Sequence, residues 1–354
     1  MSESLAININ ELTSPTWNWL HVNSTEVSVP KNVIESVINV SPVAGVKYAE
    51  TYIDSTERAY DKTGAGEEFT AYCGGREAIV GCITISEDVT DTPVIVRCSS
   101  EGLASLDIVV RSGVTATVVY DTTKQDGTFM CSDIRISIED RADLTLIELV
   151  RTENEEKYIG SIGGYVAESA EFRLNQIAVG CGNVDLSCRM DLMGDSSSLV
   201  IESGYMMDKR GSLDVCYNAN HFGRNTESVI SLNGCLRDRA AKTFKGTIDF
   251  KRGSKGARGD EREDVLLVNE GVRNRSVPVI LCSEEDVEGS HGASIGKVSD
   301  DIMFFLETRG VPKEEIVEML AQSRIDAVIG RIGMSEARAY VREAVNGSRE
   351  EDGE

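Results

Sequence analysis

No cysteine of this 354-residue sequence stands in a C-x-x-C pair, and no apolar run approaches the ~18 residues that would span a membrane. Two nucleotide signatures are missing as well: the G-x-x-x-x-G-K-[ST] phosphate loop and the G-x-G-x-x-G dinucleotide fingerprint. Basic residues are scarce. With 36 Lys+Arg against 59 Asp+Glu and a net charge of −23, phosphate backbones and anionic membranes are poor partners, because both need a basic face. Neither a nucleic acid nor a membrane is therefore expected, and any ATP chemistry must belong to another chain. Cys181 and Cys188 have six residues between them and no companion pair to complete a zinc site. The N-terminus shows no basic segment followed by an apolar one, so no signal peptide is expected. Nine cysteines then suit a reducing cytoplasm, most of them as small buried hydrophobes.

What is present is a succession of short strands. From about residue 50 to 285, alternating β-formers such as "LDIVV", "IRISIE", "FRLNQIAV" and "VPVILC" recur between Gly-, Asp- and Ser-rich turns. "VTATVVYD" begins at Val114, "ADLTLIEL" at Ala142, "AEFRLNQI" at Ala170 and "SLVIESGY" at Ser198, each 28 residues after the last. Strands at a fixed period without intervening helices predict a β-solenoid whose coils bury their inner faces on one another. The length also fits an architecture that grows by repetition, since a single compact core usually splits beyond roughly 250–300 residues.

The flanks differ. Residues 1–46 read as a small, partly helical N-terminal segment, with Ser28 capping a short helix in "SVPKNVIESVI" and His21 packed structurally beside apolar neighbours. After the β region, which spans 47–298, three helices are expected within 299–346. Ser299 caps the first and Gly310 stops it, Pro312 opens the second, and Ser335 opens the third. Residues 347–354 form an acidic tail expected to be disordered.

One stretch, "EGSHGASIGKVSDD" (288–301), is nearly a phosphate loop: Gly296 and Lys297 are in place, but His291 replaces the first glycine and Val298 the final hydroxyl. Imidazole is an ordinary iron ligand, so His291 is the first candidate for chemistry. The glycines around it, Gly289, Gly292 and Gly296, are expected to shape a turn that presents it.

The ordered pieces "HFGRNTES" (221–228), "FKGTI" (244–248), "LLV" (266–268), "PVILCSEEDV" (278–287), "HGASIG" (291–296) and "FFLETRG" (304–310) together resemble the SufB/SufD family of iron–sulfur cluster assembly scaffolds, closer to the D type. The resemblance implies a right-handed parallel β-helix flanked by helices. It implies pairing near the end of that β-helix with a B- or D-type subunit, docking of a SufC-like ABC ATPase on the C-terminal helices, and a transient cluster built at the shared interface. It implies no enzyme activity of the chain's own.

His291 matches the histidine implicated at the cluster-forming interface of the D branch, whereas B-type scaffolds carry an acceptor cysteine where this chain has Glu263. A carboxylate can ligate iron but cannot carry persulfide sulfur. Cys282 is expected to pack in the core. Cys235, in "NGCLRD", is expected at a more exposed turn. Phe304, Phe305, Leu306, Arg309, Gly310 and Leu320 are the expected ATPase contacts. His221 is expected to be structural. Two alternatives stay open: a homodimer that builds a cluster with Cys235 or Cys282, and a β-helical carbohydrate-active enzyme, which would need paired carboxylates in a cleft.

Overall fold

The computed structural model describes residues 3–53, 58–74, 78–98, 100–122 and 126–346, so the acidic tail lies outside the described residues. An antiparallel pair, β1 (Ser4–Ile9) and β2 (Thr25–Pro30), precedes β3 (Ile38–Val40), β4 (Val46–Ile53) and a short helix, α1 (Glu67–Gly74). The chain then alternates between two sheets. The odd sheet holds β5 (Ala78–Ile85), β7 (Ser100–Val110), β9 (Asp126–Ile138), β11 (Lys157–Val166), β13 (Asn183–Leu192), β15 (Ser212–His221), β17 (Ala241–Phe250) and β19 (Arg273–Cys282). The even sheet holds β6 (Val89–Cys98), β8 (Thr115–Asp121), β10 (Asp143–Thr152), β12 (Glu171–Gly180), β14 (Ser198–Met207), β16 (Glu227–Leu236), β18 (Arg258–Leu267) and β20 (Glu288–Gly296). Three helices end the chain: α2 (Asp300–Glu307), α3 (Lys313–Ile329) and α4 (Ser335–Asn346).

Strands of each sheet pair in parallel from coil to coil, as a β-solenoid requires. The 28-residue step is visible in the register: Asp143 lies opposite Thr115 on one side and Glu171 on the other. A corner motif sets the step. Gly113, Arg141, Ser169, Ser196, Asn225 and Gly256, each two residues before an even-sheet strand, all adopt φ between 52° and 78°. That conformation costs a non-glycine residue roughly 1–2 kcal/mol. It is held by a bond to the next coil: the Arg141 amide donates to Glu168 O (2.8 Å), Ser169 to Asp195 O (2.9 Å) and Ser196 to Arg224 O (2.8 Å). The residue after each corner is buried, as at Ala142, Ala170 and Ser197. The fourth unit therefore aligns at Ser197 rather than Ser198: the turn between β12 and β13 is two residues shorter than that between β10 and β11, and the corner before β14 is one residue longer than that before β12.

Between the sheets runs a continuous core of Ile, Val and Leu, with β3 and β4 pairing antiparallel against the first coils. The solenoid sheets thus begin at Ile38 rather than residue 47. Other departures from expectation lie at the N-terminus. "SVPKNVIESVI" forms no helix: Val27 and Val29 alternate into a buried face shared with α1, and Pro30 ends β2. Among the described residues of that segment, helical backbone is limited to a single 3-10 turn, Asn18–Leu20, while α1 was not anticipated. His21 is exposed, in a left-handed conformation after that turn. The three C-terminal helices form as expected, but Ser299 makes no side-chain cap bond.

His221 ends β15, fully buried, with Nδ1 bonded to Thr226 (2.7 Å), Nε2 to Ser228 (2.9 Å) and its ring on Phe250. Burial pushes this imidazole down to about 4 from its ordinary 6.5. Between those values the unfolded chain takes up a proton that the folded chain refuses, so stability falls as pH drops through this window, by up to about 3 kcal/mol for this group. The thermal midpoint of the unaltered protein should therefore drop further between pH 7 and pH 4.5 than that of His221→Gln. Equal drops would refute the account.

Candidate functional site

Among the described residues the last coil has no successor. β19 and β20 are the terminal strands of their sheets, bonded on one side only, to β17 and β18. Alternation still assigns each residue a face. His291 and Ala293 lie opposite Glu261 and Glu263, in phase with Ile295 opposite the core residue Val265. His291 is thus an inner-face residue that is exposed because nothing covers it. The same holds on β19 for Cys282, in register with the core residue Phe250. Expected to pack in the core, Cys282 is instead the exposed one of the nine cysteines. The open end of the solenoid is therefore a mouth that carries an imidazole and a thiol on one coil.

Three charged groups lie buried beneath this mouth. Glu263 accepts a bond from Lys242 Nζ and another from Ser276 Oγ (2.5 Å), so both of its oxygens are engaged. It is neither a solvated surface charge nor a free carboxylate. Lys242 also lies 5.5 Å from the Phe244 ring centroid and 5.9 Å from that of Tyr205, within cation–π range. Burial pushes the Lys242 ammonium down to about 7. Glu261, the third member, is raised to about 7, again mainly by burial, with Lys242 opposing. Gly246 leaves room for this carboxylate, which would have to shift to admit a Cβ there.

An open groove of about 520 Å³ joins these elements, lined by His291, Glu263, Asp260, Arg262, Asp264 and Arg331. Its rim charges are paired. Arg262 meets Asp260 (2.7 Å), Arg324 of α3 meets Asp264 (2.5 Å), and Arg331 meets Glu202 (3.1 Å). Such half-exposed pairs fix geometry more than they add stability.

The other candidates fall elsewhere. Cys235 is fully buried on β16, under α3, because the outer face of the even sheet is itself apolar: Ile147, Leu149, Ile177, Met206, Cys235 and Leu266 pack against Ala321, Ile325 and Val328. Gly289, Gly292 and Gly296 shape no turn; they lie within β20. Gly289 faces Phe250 and Ile280, while Gly292 and Gly296 leave open space. Helix α2 buries none of its residues and exposes Ile302, Phe304 and Phe305; Arg309 stacks on the Phe305 ring at 3.5 Å. Gly310 (φ 83°) turns the chain toward α3, where Leu320 packs against the anchored cluster, apart from the α2 face. Lys242 and Glu261 were not anticipated. Their signal was phase: in "AKTFKGTIDF" Lys242 falls in step with the core residues Phe244 and Ile248.

Accessibility should distinguish the cysteines. Brief iodoacetamide treatment of the native chain, read by peptide mass spectrometry, should label Cys282 first; labelling of Cys235 at a comparable rate would contradict this geometry.

Comparison with known proteins matches residues 98–324, more than half of the chain, to the family model described as SUF system FeS cluster assembly, SufBD core domain. The iron–sulfur cluster assembly protein SufD of Bacillus subtilis is 27% identical over 139 residues, covering 39% of this chain and 31% of that protein. A SufBD family protein of Synechocystis is 25% identical over 143 residues (40% of this chain, 30% of that protein), and SufB of Bacillus subtilis is 26% identical over 117 residues (33% and 25%). The matched stretches thus span less than a third of those relatives' lengths. Two sheets stacked coil upon coil, ending in an uncovered histidine, accompany these matches, and the chain belongs to the SufBD core-domain family of iron–sulfur cluster assembly proteins.

Proposed function

We propose that this chain is the D-type half of a two-subunit scaffold, without enzyme activity of its own, on which a transient iron–sulfur cluster is assembled in the cytoplasm as cargo. The observation that carries this reading is the uncovered inner face of the last coil. β19 and β20 offer unpaired backbone donors and acceptors along a full edge, the surface on which another strand adds most readily. A B-type subunit docking there brings its own edge over His291. Where that partner carries a thiolate, this chain has Glu263, already held by Lys242 and Ser276. The division of labour is then chemical. The partner accepts sulfur, and His291 supplies a nitrogen ligand or moves a proton at Nδ1 or Nε2.

The SufC-like ATPase docks on α2, whose Ile302, Phe304 and Phe305 face solvent. Helices α3 and α4 stay anchored to the even sheet. The Arg324–Asp264 pair ties α3 to β18 at the residue next to Glu263, so motion imposed on the helices reaches the strand that floors the mouth. A second reading is favoured by one observation, the exposure of Cys282 on the same coil as His291: two copies of this chain could pair and each contribute that thiol.

In a reconstituted complex with a B-type subunit and a SufC-like ATPase, His291→Ala should leave co-purification intact and lower cluster formation at least tenfold; unchanged formation would refute a role for His291. Truncation after residue 299 should abolish ATPase co-purification. Anaerobic treatment of the isolated chain with iron and sulfide should yield little stable cluster, and a strong cluster spectrum that disappears in Cys282→Ser would favour the homodimer.

A further inference from the structure

A second groove, of about 650 Å³, lies on the opposite side of the molecule from α3, between the N-terminal arm and the outer face of the odd sheet. One row of side chains crosses it. Asp185, Asp214, Thr243 and Arg275 are successive register partners on β13, β15, β17 and β19. Both oxygens of Asp214 are engaged. Its Oδ1 accepts from Asn10 Nδ2 (2.7 Å) and Lys245 Nζ (3.0 Å), and its Oδ2 accepts from Thr25 Oγ1 (2.9 Å). This network pins the N-terminal arm to the sheet.

Asp185, beside it, is only 7% exposed and accepts no hydrogen bond and forms no ion pair among the described residues. A carboxylate so placed, with water largely removed and no donor in its stead, is costly unless something completes it. The nearby cations act on it only through space, and neither forms an ion pair with it among the described residues. Lys245 is committed to Asn10 O, Thr25 and Asp214, and Lys157 donates to Ser28 O (3.2 Å). Burial and Asp214 accordingly raise the Asp185 carboxyl to about 7, outweighing both lysines.

We propose that Asp185 anchors a binding site for a ligand presenting a protonated primary amine, held between the N-terminal arm and the odd sheet. A divalent cation fits less well, because hard cations need six or more oxygen ligands, about 2.0–2.6 Å away. Both Asp214 oxygens are taken, and among the described residues no three His, Cys, Asp or Glu side chains converge on one point. An ammonium group asks for three acceptors. The Asp185 carboxylate supplies the charged one, and the Ser24 and Ser212 hydroxyls line the same groove. This site is independent of the mouth around His291.

Calorimetric titration of the full chain tests it. Putrescine stands for a free small amine and Nα-acetyl-lysine amide for a lysine side chain of another protein. At least one should bind at one site per chain, and Asp185→Asn should weaken that binding at least tenfold without lowering the thermal midpoint, since the amide keeps the shape and removes the buried charge. Binding of putrescine alone identifies a free amine, and binding of the lysine amide alone identifies a protein side chain. On the unaltered protein, tetramethylammonium, which has the charge but no N–H donors, should bind at least tenfold more weakly than either. Failure of both amines to bind, equal binding by Asp185→Asn, or tetramethylammonium binding as tightly would overturn the proposal.

Discussion

Coil-on-coil stacking governs this molecule. Each coil's inner face becomes core only when the next coil covers it, and each corner's left-handed residue is held by a bond to that next coil. At the N-terminal end β3 and β4 pair antiparallel with β6 and β5. At the other end the sequence runs directly into helices that pack on the side of the even sheet and leave the last coil bare. The mouth is a consequence of where stacking stops. The same alternation that buries Val265 one strand earlier places His291 and Ile295 in the open.

The charges beneath the mouth follow from the same constraint. Lys242, Glu261 and Glu263 are inward-facing residues of the last covered coils, where an isolated charge would be expensive and a mutual arrangement is needed. Such a set seldom adds net stability over apolar packing. It does keep polar, hydrogen-bonded matter directly under the coil that bears His291, and Ser276 on β19 joins the terminal strand to it. Deeper in the solenoid, Glu148 is held by Tyr158 and Gln176 in the same way, so polar inclusions recur in an otherwise apolar interior.

The solenoid was legible because its repeat is carried by local features: alternation, and one small buried residue after each corner. The site was legible only in part. His291 stood out as a scarce residue type in a glycine-rich stretch, yet its exposure depends on the absence of a following coil, which no local pattern states. Cys282 and Cys235 exchanged roles for one reason. An apolar strand position is buried only if something stacks on it, and a residue after Gly234 is exposed only if no helix covers that face. Adjacent apolar pairs such as Leu146–Ile147 and Leu149–Val150 were the sign that the even sheet is covered on both faces. The N-terminal segment was misread because the valines of "TEVSVP" alternate, a strand period that the proline and serine signals masked.

Hydrogen exchange of the amides in β19 and β20 tests the central claim most directly. In the isolated chain the outer-edge amides of 273–296 should exchange much faster than those of β13 to β16, and addition of a B-type partner should protect them selectively. Protection confined to β3 and β4, or none anywhere along the last coil, would contradict the account.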